Sequence, residues 1–181
     1  MKKRIWLTAA ILLLSLSFAA CGGAGQPTAD LVLPWTDSRE SSQTVSLEDV
    51  EAISDGDYAH DLTGLVAYLK DSYLLAGEPL EMSYDVLDAV SGEKYSFTFR
   101  SSMVSVELYE FDMDHLTEKA KGYLADVKEN GHFTILDTMV DAEISENGKY
   151  LMIYNDGKKD DENQEQKARA VEIFKAFQEN I

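Results

Sequence analysis

The amino-acid sequence predicts an α+β domain of two layers: an antiparallel sheet of about four strands with helices packed on one face. Three observations carry that expectation. Tyr95, Phe97 and Phe99 alternate with Ser96, Thr98 and Arg100, the period-2 pattern of a half-buried strand. Leu116, Ala120, Tyr123, Leu124 and Val127 recur at helical spacing and are closed by Asn130-Gly131. A strand pair followed by a helix occurs twice, with Glu107-Leu108-Tyr109-Glu110-Phe111-Asp112 echoed by Met152-Ile153-Tyr154-Asn155-Asp156.

The chain divides into residues 1–20, 21–45 and 46–181. Met1-Lys2-Lys3-Arg4, an apolar run over 5–18 and small residues before position 21 have the charge order of a secretory signal. That run is short of the roughly 20 apolar residues a bilayer-spanning helix needs. Phe18-Ala19-Ala20-Cys21 resembles the lipobox of bacterial lipoproteins, with Phe18 where Leu is usual. The resemblance implies that the Cys21 thiol takes a diacylglyceryl group and becomes the new N-terminus. The competing reading is an ordinary secretory signal with a coincidental cysteine. Two acyl chains anchor stably where one is marginal. The expected location is therefore the cell membrane, lipid-anchored and facing outside the cytoplasm.

The full chain has 16 basic and 33 acidic residues. Loss of Lys2, Lys3 and Arg4 with the signal leaves 13 against 33, a formal charge of −20. Nucleic acid is excluded as a partner, because phosphates require a basic surface, and anionic headgroups would repel the domain, so the lipid does the holding. Cys21 is the only cysteine, so once acylated it leaves no thiol for a disulfide, a thiolate metal site or a nucleophile. About 160 mature residues suffice for one domain with its own core.

Gly22-Gly23-Ala24-Gly25-Gln26-Pro27-Thr28-Ala29-Asp30 has tether composition and reaches about 15–20 Å. Leu31-Val32-Leu33-Pro34-Trp35 then interrupts the polar run, with Trp35 expected to dock this arm on the domain. Ser46-Leu47-Glu48-Asp49 is close to a capping box and predicts a short helix over 47–53. Leu62, Leu65, Val66, Leu69 and Tyr73 predict the next helix, ended by Gly77. Residues 79–91 fit both patterns, since Leu80, Met82, Tyr84 and Val86 alternate while Leu80, Tyr84, Leu87 and Val90 suit a short helix, the reading preferred here.

Ser101-Ser102 is expected to turn the aromatic strand into a second one over 103–111. Val104, Val106 and Leu108 would then face the core, with Ser105, Glu107 and Tyr109 outward. Asp112 or Asp114 is placed to cap the helix after it. Asn147-Gly148, the preferred pair of a two-residue type I′ turn, predicts a hairpin of 139–145 with 149–154. Its Val140, Ala142 and Ile144 would point one way, Asp141 and Glu143 the other. After a polar loop over 155–164, Ala170, Val171, Phe174 and Phe177 give a C-terminal helix its apolar face.

Chemistry-bearing motifs are sparse. An EF-hand loop set on Gly157 puts Met152 at position 1, and one set on Gly56 puts Ile53 at position 3, so neither supplies the oxygens Ca²⁺ needs. His60, His115 and His132 lie far apart, and the compact group His115, Asp112 and Asp114 sits where capping is the better use. No Gly-x-Ser-x-Gly elbow occurs, adjacent His60-Asp61 is poorly spaced for a triad, and Gly22-Gly23-Ala24-Gly25 precedes no strand–helix unit that could cradle phosphate. No metal or cofactor is expected. The outward side of the predicted sheet would gather Glu107, Tyr109, Asp141 and Glu143, an acidic face with one aromatic suited to a cation, a basic peptide or a sugar; an ordinary solvated sheet face is the simpler reading.

The run Val106-Glu107-Leu108-Tyr109-Glu110-Phe111-Asp112, then a helix, an Asn-Gly hairpin and a Phe-rich terminal helix, resembles small uncharacterised lipoproteins of Gram-positive, clostridial-type bacteria over roughly residues 60–178. The resemblance implies a lipid-anchored extracytoplasmic domain and carries no established activity. The expected function is a non-catalytic binding or protein-interaction module held at the membrane through Cys21, with an envelope protein or small ligand as partner. The alternative is a cell-envelope hydrolase with a carboxylate-based site, and a third reading is weak cation buffering by the acidic surface.

Overall fold

The computed structural model describes residues 53–178. The signal, Cys21, the tether, Trp35 and nearly all of the expected 47–53 helix lie outside them; Ile53 itself is irregular. The elements run α1 (Leu62–Asp71), β1 (Ser91–Phe99), β2 (Ser102–Glu110), α2 (Glu118–Asn130), β3 (His132–Ile135), β4 (Thr138–Asp141), β5 (Glu143–Ile144), β6 (Tyr150–Asp156) and α3 (Asp161–Ala176). The fold is α+β, with an antiparallel four-stranded sheet ordered β1-β2-β6-β5 and a separate β3-β4 pair.

Pairing of β1 with β2 sets Tyr95 against Val106 and Phe97 against Val104, and β2 with β6 sets Val106 against Tyr154 and Leu108 against Met152. Residues directly opposite share a face, so these side chains form one apolar layer. It packs on Leu62, Leu65, Val66 and Leu69 of α1 and on Ala170 and Phe174 of α3, followed by Phe177. These two helices form the single helical layer the sequence predicts. The other face is not left to solvent. Tyr109, Leu151 and Ile153 pack on Ala120, Leu124 and Val127 of α2 and on Phe133 of the small hairpin. The physical reason is β6, whose residues Tyr150 to Tyr154 are all buried and leave the strand no polar side. Tyr109, expected outward, is therefore buried beneath α2.

Turn chemistry explains where the elements end. Arg100 and Ser101 both take left-handed φ, 44° and 62°, the tight primed turn that suits twisted antiparallel strands. α1 stops well before Gly77. Tyr73, expected on its apolar stripe, takes φ 58° instead, with its N–H on Lys70 O and the Leu74 N–H on Leu69 O at 2.9 Å, a Schellman closure. Residues 79–91 hold one 3-10 turn, Tyr84–Leu87, and a lone bridge from Leu80 to Lys94. Thr117, rather than Asp112 or Asp114, caps α2, accepting from Ala120 N at 3.1 Å, and Gly131 ends it at φ 73° as expected. The loop before α3 is shorter than expected, because β6 runs to Asp156 and Asp160 caps α3.

The Asn147-Gly148 hairpin is also shorter than its pattern. Only Glu143 and Ile144 pair with β6, while Thr138–Asp141 folds back on β3 through Leu136-Asp137, both left-handed. Gly148 alone takes positive φ, 74°. Asn147 works through its side chain instead, accepting from Lys149 N at 2.9 Å and Ser145 Oγ at 2.7 Å. The loop is thereby closed by Ser145 N on Tyr150 O at 3.0 Å.

Asp156 joins the end of β6 to α3. It accepts from Ser102 Oγ, from Asn163 Nδ2 at 2.6 Å and from Lys158 N at 2.9 Å. Burial pushes its carboxyl up, but these hydrogen bonds outweigh burial and hold it below the ordinary aspartate value of 3.8. A depressed native value stabilises fully above 3.8 and is lost as pH falls through the native value. Asp156→Asn is expected to cost about 1 kcal/mol at pH 7. The gap from wild type should close as pH drops below 3.8, read from urea unfolding at several pH values; a gap independent of pH would contradict this role.

Candidate functional site

Glu110, the last residue of β2, lies where the sheet meets the start of α1. Its Oε2 accepts from Leu62 N at 3.2 Å and Ser91 Oγ at 2.9 Å. Its Oε1 pairs with Lys149 Nζ at 2.9 Å, both side chains being largely buried, 14% and 31% exposed. Lys149 Nζ also donates to His60 O at 2.6 Å and lies 5.2 Å from the Tyr150 ring centre. Burial pulls the ammonium's pKa down, but the bond and charge of Glu110 outweigh it and hold it above the ordinary lysine value. The ion pair thus ties α1, β1, β2 and the β5–β6 loop together at one point.

Two open clefts flank this pair. One, about 460 Å³, lies among Val90, Phe111, Met113, Asp114 and Lys149. The other, about 300 Å³, lies among Asp61, Thr63, Tyr84, Ser91 and Glu93. Glu110 borders both. Their rim is unusually apolar. Of the eight large apolar side chains exposed among the described residues, three line these clefts, Tyr84 in one and Val90 and Met113 in the other, and Leu80 and Val86 lie on the same 80–90 segment.

The rim is held from several sides. Leu80 N donates to Lys94 O at 2.7 Å and Val90 N to Glu110 O at 2.8 Å. Asp88, left-handed at φ 57°, accepts from Thr117 Oγ1 at 2.6 Å and from Lys119 Nζ at 2.8 Å, the lysine bond holding its carboxyl below the ordinary value. Leu87 is buried under the turn, so Tyr84 and Val86 project outward. Tyr84 lies on Gly92, where an added Cβ would stand 2.6 Å from Tyr84 Cβ. Gly92→Ala is therefore expected to displace the 84–87 turn while leaving the sheet formed, seen as amide shifts confined to residues 80–94 in an NMR spectrum; shifts spread through α3 would contradict that local role.

Charge around the rim is one-sided. Between Lys70 and Lys94 the chain has no basic residue and six acidic ones, Asp71, Glu78, Glu81, Asp85, Asp88 and Glu93. The carboxylates of Glu78, Glu81, Asp85 and Asp114 are exposed and make no hydrogen bond or ion pair among the described residues. Asp112 is engaged by His115 Nδ1 at 2.8 Å, which raises the imidazole's pKa, and by Asp114 N at 3.1 Å. That closes a local turn rather than a helix cap.

The four residues expected to share a binding face do not. Glu107 and Tyr109 lie on the α2 side, the Tyr109 hydroxyl donating to Glu107 Oε2 at 2.8 Å while Lys94 pairs with Oε1 at 2.8 Å. Burial, with Glu107 beside it, pushes the Tyr109 phenol well above its ordinary value. Glu143 sits opposite Met152, hence on the α3 side, and pairs with Lys175 at 2.7 Å. Asp141 belongs to the other sheet, opposite His132. Cys21 lies outside the described residues.

Among the described residues no three His, Cys, Asp or Glu side chains form a metal-binding group, and no helix is long and apolar enough to cross a membrane. No family model, curated protein or solved structure matches the chain. Glu110, which borders both clefts, has both carboxylate oxygens engaged, which fixes the surface around it.

Proposed function

We propose that the chain is a lipid-anchored, extracytoplasmic interaction module that holds a partner against the surface from Tyr84 to Met113, with no catalytic step of its own. The observation that carries this reading is the set of exposed apolar side chains, Tyr84, Val90 and Met113, along the two clefts bordered by Glu110, whose oxygens are already committed to Leu62, Ser91 and Lys149. Exposed apolar patches of this kind mark sites of association. A rim fixed by backbone bonds loses little ordering entropy on binding. The lipobox-like Phe18-Ala19-Ala20-Cys21 supports the anchor.

Pull-down from crosslinked cells, comparing the full-length chain with Cys21→Ala, tests this reading. A discrete partner captured by wild type and lost from the unanchored variant is expected. Capture of nothing by either chain, together with turnover of a cell-wall or peptide substrate by the purified protein, would overturn it in favour of an enzyme.

A further inference from the structure

Resting on that reading, we infer that the partner segment seated across the Glu110 clefts is a basic one that also carries apolar side chains. The apolar half follows from Tyr84, Val86, Val90 and Met113, which project from a backbone held by Val90 N on Glu110 O and Leu80 N on Lys94 O. The basic half follows from charge complementarity. Asp114 lines the same cleft as Val90 and Met113, and the segment that carries Tyr84, Val86 and Val90 has six acids and no base between Lys70 and Lys94, with Glu78, Glu81 and Asp85 exposed. The ammonium groups around the clefts are already engaged, Lys149 by Glu110 and His60 O and Lys119 by Asp88. An acidic partner would meet repulsion here, and a purely polar basic one would leave the apolar rim uncovered.

A second apolar spot, Leu136 and Met139 at the β3–β4 turn, is exposed too and lines neither cleft. It serves as the internal control.

The test is fluorescence anisotropy on the full-length chain in non-ionic detergent micelles, with empty micelles as blank. Its probe is a labelled peptide of alternating Lys and Leu, run beside Lys/Ser and Glu/Leu peptides of equal length. The Lys/Leu peptide is expected to bind about tenfold or more tighter than either control, and to weaken as salt rises. Val90→Ser with Met113→Ser, and separately Glu81→Gln with Asp85→Asn and Asp114→Asn, should each weaken it about fivefold or more. Leu136→Ser with Met139→Ser should change nothing. All of these positions are exposed, so the fold is retained. Equal binding of Lys/Leu and Lys/Ser, or full affinity in the Val90/Met113 pair, would reduce the effect to diffuse attraction by an acidic protein and overturn the inference. Equal binding of Glu/Leu would remove charge from it. A discrete cellular partner whose crosslinked segment has no basic residue would sink this inference and leave the interaction reading standing; no partner at all would sink that reading itself.

Discussion

Gly64→Ala is expected to destabilise the domain by about 3 kcal/mol, lowering the melting temperature by about 10 °C. A Cβ at this position would lie 1.9 Å from the carbonyl oxygen of Ala59 and 2.7 Å from its C and N atoms. Those are backbone atoms, so no rotamer change relieves the clash. Residues 59–60 would have to move away from α1, and with them His60 O, which receives Lys149 Nζ. Damage at a helix start would thus reach the Glu110 site. The contrast is Gly122, mid-way along α2 and exposed, where an added Cβ meets nothing within 4 Å. There Gly122→Ala should stabilise by up to about 1 kcal/mol, the usual helical preference for alanine. Thermal unfolding of the two variants decides it, and a melting temperature for Gly64→Ala close to wild type would show that the 59–64 turn is not packed as described.

Glu110→Ala carries the second-largest expected effect, about 2–3 kcal/mol. It removes the acceptor of Ser91 Oγ and of the Leu62 N–H at the positive end of α1, and leaves Lys149 Nζ without its carboxylate, with only His60 O to accept from it. Glu110→Gln keeps an acceptor for the first two and removes only the charge, so it should cost about half as much. The comparison is Glu118→Ala, which loses one exposed pair with Lys121 and should leave the unfolding midpoint close to wild type. Urea midpoints with unchanged m-values give the ordering. A loss for Glu110→Ala as small as that for Glu118→Ala would mean the ion pair is a surface ornament.

The β1–β2 hairpin and the later helices are legible because their residues repeat with a clean period. Tyr95, Phe97 and Phe99 fall on one face of β1, and Ala120, Leu124 and Val127 on one side of α2. The pattern marks 149–154 only as one arm of a hairpin, yet the unbroken apolar and aromatic run Tyr150 to Tyr154 signals burial on both faces, and with it the fate of Tyr109. Alternation misled between Asp141 and Glu143. They would share a side of one continuous strand, but the chain changes sheets at Ala142, which breaks the parity. The candidate site was the least legible part, since residues 80–90 combine a 3-10 turn, a lone bridge and a left-handed Asp88, none of which has a period. What the sequence did carry there was the absence of any basic residue between Lys70 and Lys94, beside apolar residues fitting no regular face.

The claim that a partner is held between Tyr84 and Met113 is tested most directly by site-specific photocrosslinking in cells. A photoreactive amino acid is placed at Val90 in one strain and at Leu136 in another, both exposed positions. The account predicts a discrete adduct from position 90 and none of the same mass from position 136. An adduct of that mass from 136 alone, or from both positions equally, would contradict it.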